Sequence, residues 1–462
     1  MSRCIHMYLL ASVAGFALPA ACLAADDLGA LRAELEALKA QQAAQISILE
    51  ARIAELESNQ AAVAASASVP ETAAPTPSAG SDMRAFNPAI SVILAGNYAN
   101  LSQDPGTWAI AGFLPGGDET GPGERSFNLG ESELMLSGSI DPYFMGNVTV
   151  ALSPENELAV EEAYFRTLAL PAGLMLKGGR FFSGLGYLNE IHGHAWDFID
   201  QPLVYQAFYG GQFAQDGLQL KWLAPTDLFL ELGAETGNGE AFPGTRRGVN
   251  GANGVTLFAH VGGDIGDDWA WRGGMSWMEL RAVERTYDDL NAAGEDVVNA
   301  FTGKSRTWIA DATLKWTMPG DPKRRSLKLQ GEYMHRTEDG ELAYDLGGQA
   351  LTDGYDSSQS GWYVQGVYQF LPRWRVGARY DSLDSGTPRI GLVKSGLLPA
   401  EDFPALASAD PSRTSLMIDW SPSEFSRLRA QYAWDDARDA ATDEQFFLQY
   451  IYSLGAHGAH KF

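Results

Sequence analysis

Trp362-Tyr363-Val364-Gln365-Gly366-Val367-Tyr368-Gln369-Phe370 decides the fold. Trp362, Val364, Tyr368 and Phe370 share one parity, while Gln365 and Gln369 fall on the other. Side chains of an extended strand point alternately to its two faces, so this segment is a strand with one apolar and one polar face. The pattern recurs at Trp308, Ala310, Ala312, Leu314 and Trp316 against Asp311, Thr313 and Lys315, and at Leu416, Ile418 and Trp420 against Asp419. It recurs again at Leu428, Ala430, Tyr432 and Trp434 against Arg427, Arg429 and Gln431. Aromatic residues gather at the ends of these stripes. In a soluble sandwich the apolar face turns into a core; in a transmembrane barrel it turns to lipid, and the polar parity lines the lumen.

The connections separate the two cases. Alternation predicts strands near 88–99, 127–140, 143–152, 157–168, 173–182, 216–223, 227–236 and 254–264, then 269–280, 305–317, 326–337, 360–370, 373–383, 413–420, 426–436 and 444–454. The turns after every second strand are short, as at Asp141-Pro142, Gly266-Asp267-Asp268, Leu371-Pro372 and Ser421-Pro422-Ser423, and the others are mostly long. A sandwich has no reason to sort its loops by parity, whereas a barrel with a periplasmic and an extracellular rim does. The fold expected is all-β, a transmembrane antiparallel β-barrel of about 16 strands over 84–462, in the outer membrane of a Gram-negative bacterium.

Composition agrees. Of 462 residues, 45% are hydrophobic and 20% charged, yet no apolar run past the N-terminus is long enough to cross a bilayer as a helix. Fifty Gly, 12 Trp, 17 Tyr and 21 Phe suit many turns and aromatic girdles. A net charge of −25 argues against nucleic acid as a partner.

Residues 1–24 read as a signal peptide, with Arg3, an apolar stretch from Tyr8 to Leu18, and small residues around Ala24. Cleavage there removes Cys4 and Cys22 and with them any thiol chemistry. Residues 26–58 carry Leu28, Leu31, Leu35 and Leu38, then Ile46, Leu49, Ile53 and Leu56, joined through Gln42 by a stutter. This predicts a short periplasmic coiled coil, suited to assembly as a homotrimer or to contact with the cell wall. Residues 59–83, with Pro70, Pro75 and Pro77, read as a flexible linker. At the other end Phe446, Leu448, Tyr450, Tyr452 and Leu454 share a parity with Phe462, with a bulge or short tail expected in between.

Leu158-Ala159-Val160-Glu161-Glu162-Ala163-Tyr164-Phe165, followed by Gly178-Gly179-Arg180-Phe181-Phe182, resembles the phosphate-selective porin superfamily over most of 84–462. Gly186-Tyr187-Leu188-Asn189-Glu190-Ile191-His192-Gly193-His194-Ala195-Trp196-Asp197-Phe198-Ile199-Asp200-Gln201-Pro202 is similar to a proteobacterial group labelled zinc-regulated or TonB-dependent outer-membrane receptors. The second resemblance implies a role in metal uptake. A receptor of the TonB-dependent kind would carry a large plug domain ahead of twenty-two strands, so a porin-like pore fits this chain better.

Parity places Lys221, Lys315, Lys328, Arg375, Arg379, Arg427 and Arg429 in the lumen with Asp311, Glu332, Asp381 and Asp419. Connection 183–215 is the third on the outer rim and carries Glu190, Asp197 and Asp200. Folded inward, its Asp200 would face Lys315, Arg375, Arg379, Arg427 and Arg429 across a pore constriction, giving a transverse field; the plainer alternative is a solvated lining. His192 and His194 project to one side of an extended segment, roughly 6.5–7 Å apart at Cα, and with Asp197 or Glu190 offer nitrogen and oxygen ligands to a weakly bound Zn²⁺. The alternative is that both hydrogen-bond within a folded loop. No other cofactor is expected. His457 and His460 read as a polar tail, and His260 and His335 as rim residues without a role.

Neither a Gly-x-Ser-x-Gly elbow nor a phosphate-cradling loop occurs, and Ser183 is near His192 only in sequence, so no enzymatic activity is expected. The function expected is a porin-like channel for small hydrophilic solutes with a preference for divalent cations such as zinc. An anion-selective porin and a non-conducting anchor to the cell wall are the alternatives.

Overall fold

The computed structural model describes residues 88–455 apart from positions 115, 117–119, 155, 246, 247, 322 and 440. The predicted signal peptide, coiled coil and linker lie outside the described residues, as do His457, His460 and Phe462.

Within them, the alternating segments form a closed antiparallel barrel of 16 strands. We number these β1 (Ala89–Leu101), β2 (Ser132–Ser139), β3 (Phe144–Leu152), β4 (Leu158–Thr167), β5 (Leu174–Phe182), β6 (Ala214–Leu223), β7 (Phe229–Gly237) and β8 (Gly254–Ile265). The second half comprises β9 (Trp269–Leu290), β10 (Asp296–Thr317), β11 (Ser326–Tyr344), β12 (Leu351–Leu371), β13 (Trp374–Asp384), β14 (Ser412–Ser423), β15 (Ser426–Asp436) and β16 (Asp443–Gly455). Each strand pairs with its sequence neighbours, and β1 closes the ring by pairing with β16 from Ser91↔Gly455 to Leu101↔Gln445. A short segment, Ser126–Leu129, prolongs β2 along β1. Closure leaves no unpaired edge, which a bilayer would not tolerate.

The outward parity is the apolar one. Trp308, Met275, Val364 and Leu94 are half-exposed on the outer face, whereas Gln365, Asp311, Asp419 and Arg429 are buried inside. Two aromatic girdles bound this face. Trp269 packs on Trp316 and Trp374 on Trp420 beside the short turns, while Trp277 packs on Trp308 and Trp362 on Tyr380 nearer the other rim. Trp308 and Trp316 are about 26 Å apart along β10 at ~3.3 Å per residue. At a tilt of about 40° this spans about 20 Å of the bilayer normal, close to the apolar band of outer-membrane barrels. The protein therefore sits in the outer membrane of a Gram-negative cell.

Strands β9, β10, β11 and β12 run 22, 22, 19 and 21 residues. They pass well beyond the outer girdle, further than the alternation predicted. Connection 385–411 folds against the inner face of this extension: Leu392, Leu398, Phe403 and Leu406 pack with Phe301, Tyr344 and Tyr355.

Candidate functional site

The lumen is the only environment in which the polar parity can be buried, and connection 183–213 buries it. The chain leaves β5, turns inward, and returns to β6 after a two-turn helix, α1 (Leu203–Tyr209), all of whose residues are buried. Asn189 closes the neck: its amide donates to the carbonyls of Ser183 and Phe213, and its side-chain oxygen accepts from Phe213 N–H. Leu185, Leu188, Leu203, Val204 and Phe208 then pack on Met278, Ile309, Met334, Tyr363 and Leu383 of the wall. An apolar cluster thus occupies part of the lumen.

Polar groups of the wall fix the connection in place. Glu332 of β11 accepts from the backbone of Tyr187 and Leu188 and from the hydroxyls of Tyr205 and Tyr363, at 2.7–3.1 Å. Gly186 passes so close to this carboxylate, with φ of 61°, that a Cβ there would collide with it. Glu235 of β7 accepts from Ser183 Oγ and Gly184 N–H. At the N-terminal end of α1, Asp381 accepts from Leu203 N–H, and at its C-terminal end Arg336 donates to the carbonyls of Ala207 and Phe208. Both charges complement the helix dipole.

The acidic residues of the connection touch the basic wall directly. Asp197 pairs with Lys328 and with Arg375 at 3.0 Å, and Arg375 also holds Asp419. Asp200 pairs with Arg379 and Arg413, each at 2.8 Å, and accepts from Gln431. Burial raises both loop carboxyls, but the cations beside them prevail: Asp197 lies well below the usual carboxylate range and Asp200 is brought down to about 2. Arg427 and Arg429 donate to the Trp196 carbonyl. Lys315 stands opposite Lys328 in the β10–β11 register. The expected constriction set is thus brought together, but not as two charged walls across water. At Asp197 and Asp200 the charges cancel in contact, because the connection's apolar residues draw it onto the wall.

The expected metal set is divided. Glu190 pairs with Lys221 at 3.0 Å, and Asp197 is bound as above, on a different part of the wall. His192 and His194 instead meet Glu133 of β2 and Glu161 and Glu162 of β4. His192 Nδ1 lies 3.3 Å from Glu133 and 3.4 Å from Glu161, its Nε2 3.2 Å from Glu162, and His194 Nδ1 2.6 Å from Glu133. The rings stack with centroids 5.8 Å apart. Both histidines therefore bond to the barrel wall and not merely within their own loop. Ser183 is bonded to Glu235 and not to a histidine. His260 is not a rim residue: it is buried on the lumenal face, 3.3 Å from Glu231.

No family model matches the chain. Over 355 residues it is 33% identical to a protein of Aquifex aeolicus described as an uncharacterized protein, covering 73% of this chain and 71% of that one. The chain belongs to that protein's family. Among solved structures, it is similar to the Vibrio cholerae outer membrane protein OmpT lacking loop L8, with a TM-score of 0.50, 14% identity, and coverage of 80% of this chain and 99% of that one. It is also similar to the outer membrane channel DcaP of Acinetobacter baumannii, with a TM-score of 0.46, 13% identity, and coverage of 81% and 99%. The likeness to the first shows the fold, a porin-like barrel.

In this family member the lumen is open toward the short turns, where a cavity of about 970 Å³ is bordered by Arg373, Arg375, Arg427, Ser426, Ser453 and His194. The residues that sequence reasoning missed are Arg413, Arg336, Glu235, Glu133 and Glu162. All lie on lumenal parities, and the signal overlooked was apolar company on that same parity. Ile309, Met334, Tyr363 and Val367 face inward and are buried, which a water-filled lumen would not favour.

Proposed function

We propose that the protein is a porin-like channel for small hydrophilic solutes, narrowed by connection 183–213 and preferring divalent cations such as zinc. The folded-in connection carries this reading. Its apolar residues pack on one part of the wall while Asp197 and Asp200 pair with the basic residues of another, so it fills part of the lumen and acts as a constriction with a polar rim. Cation preference is supported by the disposition of charge. Arg375, Arg379 and Arg413 each have a carboxylate within 3.0 Å, whereas Glu133, Glu161 and Glu162 converge on two histidines. Assembly as a homotrimer and contact with the cell wall through 26–58 belong to the same proposal.

A second reading, an anion pore, is favoured by the vestibule beside the short turns, where Lys323, Arg373, Arg375 and Arg427 outnumber Glu424. Reversal potentials of the purified protein in planar bilayers under a salt gradient decide between them. Cation selectivity is the expected result. Anion selectivity would overturn the cation preference, and absence of any conductance would overturn the channel.

A further inference from the structure

Three ligand atoms converge where the inward connection meets the β2–β4 wall. Glu133 Oε2, Glu161 Oε2 and His192 Nδ1 lie within 4.8 Å of one another. All three are buried, and none makes a hydrogen bond. Glu133 is 2% exposed, so its free oxygen has no water to turn to. His194 compensates one oxygen of this carboxylate, and the other, 3.3 Å from His192 Nδ1, is costly to bury unless a cation or a proton lies beside it.

The backbone is shaped to bring these atoms together. Consecutive strand residues face opposite sides, so Glu161 and Glu162 could not both turn inward from a regular strand. The β3–β4 register shifts at this point, with Thr149 opposite Glu162 and Val150 opposite Val160, leaving Glu161 as the extra residue of a bulge. A bulge re-aims a side chain. Here it brings a carboxylate that would otherwise face lipid to within 3.4 Å of His192 Nδ1.

The outer contacts set the chemistry of the inner ones. His192 Nε2 lies 3.2 Å from Glu162; with the N–H of the neutral ring on that nitrogen, the Nδ1 lone pair is directed at Glu133 and Glu161. A lone pair facing two carboxylates is repulsive unless a cation lies between them. His194 in turn holds the other oxygen of Glu133. A carboxylate behind a ligating histidine is the usual second shell of a metal site. The separations also fit: ligands at about 2.0–2.2 Å from a tetrahedral zinc are about 3.3–3.5 Å from each other, and His192 Nδ1 lies 3.3 and 3.4 Å from the two carboxylate oxygens. Access exists from a cavity of about 330 Å³ at Glu161 and from the vestibule at His194.

We infer that Glu133, Glu161 and His192 bind a divalent transition-metal cation, and that the metal fastens the inward connection to the β2–β4 wall. The nitrogen donor selects a zinc-like ion over magnesium or calcium. Three protein ligands leave a fourth position for water or for a passing solute. Opposite this fastening, Asp197 and Asp200 clamp the connection to β11, β13 and β14, so loss of the metal loosens the other side only, which the contacts of His192 with Glu162 and of His194 with Glu133 still tie to the wall. That consequence for permeation rests on the channel reading above; the site itself does not.

The test uses the full chain, purified in detergent, stripped with a chelator and dialysed against micromolar ZnCl₂ near neutral pH, with bound metal counted. One zinc per chain is expected, with affinity at least about tenfold weaker in Glu161→Gln and His192→Ala. Unheated electrophoretic mobility verifies that each variant is a folded barrel, and Glu162→Gln, which leaves all three ligands in place, should also weaken binding and replaces either of the others that fails to fold. The inference is overturned if the wild type retains no zinc, if the variants bind as tightly, or if magnesium competes equally, the last meaning an acidic cluster without a role for the histidine. A proton in place of the metal is a further overturning outcome, seen as a protonated His192 ring by NMR with no zinc uptake. Conductance is measured on the same preparation. Zinc binding without conductance sinks the channel and leaves the site; conductance without zinc binding does the reverse.

Discussion

At the scale of single residues, Glu332 has the most to lose. Every contact it makes is as an acceptor, two of them from backbone N–H groups that cannot turn away. Glu332→Gln puts an amide N–H₂ against one such N–H, and a buried unsatisfied donor costs about 1–3 kcal/mol. The connection should loosen while the barrel stays closed. The expected outcome is faster proteolysis within 183–213 and larger single-channel conductance, at unchanged unheated mobility; equal proteolysis rates would show that Glu332 does not hold the connection.

Asp200 gives a dependence on acid. Burial alone would raise its carboxyl, but Arg379 and Arg413 bring it down to about 2, from an ordinary value near ~3.9. A group depressed on folding stabilises fully above its ordinary value and loses that contribution as pH falls through the folded one. The contribution is on the order of 2 kcal/mol and disappears between about pH 4 and pH 2. Conductance should therefore be flat down to about pH 4 and rise below it. In Asp200→Asn the acid-induced rise should shrink, since the ionisation that drives it is gone.

At the scale of elements, α1 lies against the wall because β12 offers it a glycine. A Cβ at Gly361 would lie 2.8 Å from Val204 Cγ2 and would also collide with Leu383. Gly361 is on the lumenal parity, so Gly361→Val leaves the lipid face and the β12 ladder intact. Overpacking of this kind costs about 1–3 kcal/mol, and here the helix can yield more readily than a paired strand. Displacement of α1 is expected, read as deprotection of the 203–209 amides in hydrogen exchange with the β12 amides still protected; protection of both would mean the wall gave way instead.

The same scale shows what was legible in the sequence. Strand positions inside the bilayer could be read to within a few residues, because lipid on one side and polar groups on the other impose alternation. Beyond the outer girdle the alternation fails. In β9, outward Arg281, Glu284 and Asp288 mix with Val283 and Leu290, and inward Arg285 and Asp289 mix with Ala282 and Tyr287, so neither face is uniformly apolar or polar. The extension was invisible for that reason. The candidate site was half legible: His192, His194, Asp197 and Asp200 were marked by type and spacing, but their partners are set by which wall strand the connection reaches. Glu161 in particular faces inward only through a bulge.

At the scale of the molecule, two kinds of contact hold two different structures. The barrel is closed by continuous backbone pairing from β1 round to β16, and its outer face is matched to hydrocarbon. The inward connection adds no strand to that ring; its hold is made of side chains. Removing it should therefore leave the barrel standing. Replacing 184–212 with a short glycine-serine turn between β5 and β6 exposes Glu332, Asp381, Arg379 and Arg413, all lumenal and polar, to water that can solvate them. The expected result is a folded, heat-modifiable barrel with conductance several-fold above wild type and reduced discrimination between cations and anions, since ions in a wider, water-filled lumen pass farther from the charges of its wall. An unfolded product would mean that the connection is a core the barrel needs, and a folded product with unchanged conductance would mean that solutes pass by a route the connection does not control.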